Sequence, residues 1–67
     1  MKLIKQLKTL NWGTPIRVVT PSEEVFVGNA KEAVRSQTLL EYFDVSLKDV
    51  KLVEEPSPHL RLVLNIK

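Results

Sequence analysis

From Lys2 to Leu10 the apolar residues Leu3, Ile4, Leu7 and Leu10 recur at i, i+1, i+4 and i+7, the spacing of one face of a helix. Lys2, Lys5 and Lys8 gather on another side, and Lys8 sits near the negative end of the helix dipole. So short a helix is marginal in water alone and needs a surface to dock on. Asn11-Trp12-Gly13-Thr14-Pro15 stops it: Gly13 tolerates a turn, and Pro15 pushes Thr14 into extended geometry. Trp12, the single tryptophan, is expected to plug the core at this junction.

The period then changes from helical to that of a strand. Ile16-Arg17-Val18-Val19-Thr20 is rich in branched residues and reads as one strand. Pro21-Ser22-Glu23 supplies a turn, and Glu24-Val25-Phe26-Val27-Gly28 returns as the second strand of an antiparallel hairpin. Asn29 follows as a helix cap, with Glu32 three residues on to complete a capping box. Ala30, Ala33, Val34 and Gln37 define the inward stripe of that helix, and Thr38 is placed to cap a second turn, Leu39–Phe43. The poor helix formers Ser36-Gln37-Thr38 leave open whether 30–43 is one helix or two.

Val50–Glu54 reads as a third strand and Leu60–Ile66 as a fourth, joined through Glu55-Pro56-Ser57-Pro58-His59, whose prolines forbid continued ladder pairing. Leu60, Leu62, Leu64 and Ile66 alternate cleanly on one face. The fold class is therefore α+β. A short N-terminal helix precedes β-β-α-β-β, and a four-stranded, mainly antiparallel sheet is covered on one face by helix. A chain of 67 residues has room for one domain, 1–67, and for one core.

Strand parity then divides the sheet. Ile16, Val18, Val25, Val27, Leu52, Leu62 and Leu64 are expected to face the helices. The opposite face would carry Arg17, Val19, Phe26, Lys51, Val53, Arg61 and Val63, with Asn65 beyond them. An open antiparallel face is ordinarily polar. This one mixes an aromatic and three valines with three basic residues, the pattern of a partner surface.

Thr14-Pro15-Ile16-Arg17-Val18, then Val25-Phe26-Val27-Gly28-Asn29-Ala30-Lys31-Glu32-Ala33, closing on the alternating leucines, resemble a group of small uncharacterised proteins of bacteriophages, prophages and their Gram-positive hosts. The resemblance covers most of the chain. It implies a helix-on-sheet fold of α+β class and implies no activity.

Composition narrows the function classes. Ten basic and eight acidic side chains leave a net charge of +2, too mild for a dedicated electrostatic binder, so any cationic site must be local. With no cysteine there is neither a disulfide framework nor a thiolate metal site, and burial must stabilise the fold. No apolar run approaches a membrane span, and Met1–Lys5 lacks the apolar region of a signal peptide. The reading is a soluble, cytoplasmic protein.

Candidate chemistry is sparse. The one histidine, His59, lies in a proline-bracketed turn where a solvated ring is expected, and Ser22, Ser36, Ser46 and Ser57 have no motif around them. Glu23-Glu24 and Glu54-Glu55 are adjacent carboxylates that point to opposite faces of a strand, a poor arrangement for a shared ion. Gly28-Asn29 opens a helix, but its free N–H groups are already served by Asn29 and Glu32, which argues against a phosphate there. Neither an enzyme, a cofactor nor a small-molecule substrate is expected.

What remains is a non-enzymatic interaction module, docking a protein partner or forming a homodimer through the sheet. The alternative is a single-stranded nucleic-acid binder, with Phe26 as a stacking platform and Arg17, Lys51 and Arg61 on phosphates. A third reading has the basic side chains merely covering the valines, with no partner on that face.

Overall fold

The computed structural model describes residues 1–66. Helix α1 spans Leu3–Thr9, strand β1 Pro15–Val19 and strand β2 Glu24–Asn29. Two short helices follow, α2 Ala30–Val34 and α3 Gln37–Leu40, and strands β3 Leu47–Val53 and β4 His59–Leu64 close the chain. The sheet order is β2-β1-β4-β3. The two hairpins are antiparallel and meet through a parallel β1–β4 pair, so the sheet is mixed. The two central strands are the ones with the most buried side chains, which places the apolar load where both neighbours shield it.

The helices lie on one face. Leu3 and Leu7 of α1, Ala33 of α2 and Leu39 of α3 meet Ile16, Val18, Leu62 and Leu64 of the sheet in one buried cluster. Full burial of such a leucine contributes about 1.5–3 kcal/mol, enough for two of them to hold the short α1 on the sheet. Helix α1 has no side-chain cap. Its first N–H groups are satisfied instead by the loop before β3: Leu3 donates to the Val45 carbonyl at 2.9 Å and Ile4 to that of Phe43 at 3.1 Å.

Helix α2 starts on the expected capping box, with the Glu32 N–H donating to Asn29 Oδ1 at 2.8 Å and the Asn29 N–H to Glu32 Oε1 at 3.3 Å. The next donors go to the connection after α1, Ala30 to the Thr14 carbonyl and Lys31 to that of Trp12, both at 3.0 Å. The region 30–43 resolves into two helices and a turn. Ser36, not Thr38, caps the second, accepting from the Leu39 N–H at 3.3 Å. Ala30 and Ala33 are buried as expected, whereas Gln37 is exposed.

Trp12 is not a core plug: it is 57% exposed, and only its backbone carbonyl ties the turn to α2. Its turn ends before β1 enters the sheet, so the ring has no pocket to fill. No helix of the described chain is long and apolar enough to cross a membrane.

Candidate functional site

Registration across the sheet sorts the side chains into rows. On the helix side, Phe26, Val18, Leu62 and Val50 form one row, and Gly28, Ile16, Leu60 and Leu52 the next. Phe26 therefore lies on the core side, against expectation, and packs on the buried cluster. The cause is a bulge in the first hairpin. Val18 is opposite Phe26 but Val19 is opposite Glu24, so Val25 is an extra residue and the alternation of β2 shifts phase. Val27 consequently turns away from the helices and is 56% exposed.

The other face of the sheet has no helix on it. Its middle row runs Val27, Arg17, Arg61, Lys51 from β2 to β3, and the adjacent row runs Glu24, Val19, Val63, Asp49. Six of the seven residues expected on this face (Arg17, Val19, Lys51, Val53, Arg61 and Val63) are there, and Val27 stands where Phe26 was expected. Asn65 falls beyond β4, its N–H donating to the Ser46 carbonyl.

Three cations on neighbouring strands are thus placed directly side by side. Like charges opposite one another on a sheet repel. The outer two are compensated: Arg17 Nη1 lies 3.4 Å from Glu24 Oε2, and Lys51 Nζ 3.4 Å from Asp49 Oδ2. Arg61, in the centre, has no ion-pair partner among the described residues. It is exposed and forms one wall of a depression of about 260 Å³ that Val19, Thr20, Pro21, Ser22, Glu23 and Glu24 complete.

Val19 is less available than its position implies. It is only 5% exposed although no helix covers it, with Glu24 and Val63 directly opposite it on the two neighbouring strands. The face is accordingly a guanidinium-bearing surface over a shielded apolar floor. Thr20 holds the depression's rim, its Oγ1 accepting from the N–H groups of Ser22 at 3.2 Å and Glu23 at 3.1 Å.

His59 is not a solvated turn residue. It opens β4, is 6% exposed, and its Nδ1–H donates to the Ser57 carbonyl at 2.8 Å. The strand begins one residue earlier than its leucine alternation indicates, so His59 pairs with Val53 on the helix-free face and is buried there, outside the helix-side core. A second, mostly apolar depression of about 170 Å³ lies beside it, lined by Thr14, Pro15, Leu52, Pro58, His59 and Leu60. Among the described residues no cluster of three or more histidine or carboxylate side chains is arranged to hold a metal ion.

Neither a protein-family model, nor a curated protein, nor a solved structure matches this chain.

Proposed function

We propose that this domain is a non-enzymatic interaction module whose helix-free sheet face docks an acidic segment of a partner protein. The observation that carries the reading is the registered row Arg17, Arg61, Lys51, in which the central guanidinium has no carboxylate partner among the described residues while both neighbours have one. A carboxylate brought to Arg61 would relieve repulsion within the row and accept a paired, charge-assisted hydrogen bond. Val27, 56% exposed at the end of the same row, would add apolar contact. The nucleic-acid reading loses support because Phe26, its stacking residue, lies on the helix side. A cytoplasmic setting belongs to the same proposal and fits a chain without cysteine. The resemblance to phage and Gram-positive proteins places no constraint on the partner.

The test is an NMR titration of the labelled domain with three probes: a short polyglutamate peptide, a neutral peptide of equal length and an oligothymidine. Shifts confined to the amides of Arg17, Lys51, Arg61 and Val63 with polyglutamate, and abolished in Arg61→Glu, support the proposal. No shift with polyglutamate, or shifts mapping to the helices, would refute it. Stronger binding of the oligonucleotide would transfer the face to nucleic acid.

A further inference from the structure

Strand β3 is an edge of the sheet; the N-terminal segment covers its start, where the Leu47 N–H donates to the Met1 carbonyl, and residues 48–52 beyond it are all exposed. The helical layer reaches it only at Leu47, leaving Val50 and Leu52 uncovered on the helix side, Leu52 at 72% exposure. Charges on an edge strand ordinarily deter pairing. Here their order makes the strand complementary to itself. In Lys48-Asp49-Val50-Lys51-Leu52, antiparallel pairing about Val50 sets Val50 against its own copy, Asp49 against Lys51 of the second copy and Lys51 against its Asp49.

The backbone agrees with that register. The Val50 N–H donates to Asp49 Oδ1 at 2.8 Å rather than to β4, so it points out of the sheet. Alternation directs the N–H group of Leu52 outward as well, whereas at the other end the chain bulges between Leu47 and Asp49 and the outward N–H, that of Leu47, is already donated to the Met1 carbonyl at 2.8 Å. Val50 and Leu52 are thus the donors free to reach a second copy paired about Val50. Asp49 and Lys51 then fall at the non-hydrogen-bonded positions, where opposing side chains approach most closely.

We propose that a second copy of this chain adds to the sheet at β3, in antiparallel register about Val50, forming a two-fold dimer with one continuous eight-stranded sheet. The two-fold axis stands normal to the sheet, so both helical layers stay on the same side. The row Val27, Arg17, Arg61, Lys51 of one protomer runs on into Asp49, Val63, Val19, Glu24 of the other. Val50 and Leu52 of both copies form an apolar seam on the helix side. Asp49 releases the edge N–H to its new backbone partner and turns to the facing lysine. This dimer uses the sheet's edge and does not rest on the acidic-partner reading of its open face.

Pairing of so few residues a side buries less than a standard interface, so the dissociation constant is expected at roughly micromolar to millimolar. Sedimentation velocity from about 10 μM to 1 mM should show the monomer converting to dimer. Val50→Pro removes only an outward N–H, which an edge strand tolerates, and should leave a monomer. Asp49→Lys and Lys51→Asp should each weaken the dimer about tenfold, and the double variant, which restores opposite charges across the two-fold, should regain it. If Val50→Pro fails to fold, the charge series decides. A monomer at every concentration, a dimer indifferent to the single charge reversals, or a double variant no tighter than the singles would overturn the proposal.

Discussion

The ring of Phe26 lies over Gly28: a Cβ placed on Gly28 would stand 2.9 Å from Phe26 Cζ and 3.0 Å from Glu32 Oε1. The absent side chain makes room for the aromatic ring beside the capping box of α2, so strand, glycine and helix start are one packing unit.

Two variants test this unit together. Gly28→Ala should destabilise the domain by about 1–3 kcal/mol, since the half-buried ring must move off the core to admit the methyl group. Phe26→Ala should itself be destabilising, and in that background the cost of Gly28→Ala should shrink. A double-mutant cycle in urea measures the coupling. Equal cost of Gly28→Ala in both backgrounds would show that the ring is not what fills the space.

Asn29 should be worth about 1 kcal/mol, the usual cost of losing a side-chain cap. The figure stays modest because Ala30 and Lys31 donate to backbone carbonyls of Thr14 and Trp12 that survive the change. Asn29→Ala read by urea denaturation checks it. A loss of several kcal/mol would mean that the cap also organises the connection between α1 and β1.

Element order, the capping box and the core face of β4 were legible in the sequence, because each is written locally. Leu60, Leu62 and Leu64 alternate against polar neighbours, and Asn29 and Glu32 stand at a fixed offset. Phe26 was not legible for the converse reason. Val25-Phe26-Val27 is apolar at every position, so its alternation carries no phase, and the bulge that sets the phase arises only when β2 pairs with β1. The basic row likewise needed the β1–β4 parallel pairing, a contact between distant segments that places Arg17 beside Arg61. The start of β3 was obscured by Lys48 and Asp49, charges that an edge strand accommodates.

Leucines of equal size should differ sharply in cost. Leu7 is fully buried between α1 and the sheet, and Leu7→Ala should cost about 2–5 kcal/mol, a large share of the stability of so small a domain. Leu52, exposed on the edge strand, should cost under about 0.5 kcal/mol when truncated in dilute monomer. Thermal unfolding of both variants at low concentration compares them. Similar losses would indicate that the helical layer extends over β3.

Tyr42 links stability to alkaline pH. It is the only tyrosine, and its phenol is held above the ordinary value of about 10, chiefly by desolvation and then by the neighbouring Glu41 carboxylate. Both causes disfavour the phenolate in the folded chain. The folded state therefore keeps its proton at a pH where the unfolded state has begun to lose it. Stability from this group is complete below the unfolded pKa and is lost as pH rises through the folded one. Tyrosinate absorbance, followed while far-ultraviolet circular dichroism stays native, should titrate later than in concentrated urea. Glu41→Gln should bring the midpoint partway back, and only partway, because the larger cause is desolvation. A folded midpoint at or below that in urea would contradict the assignment.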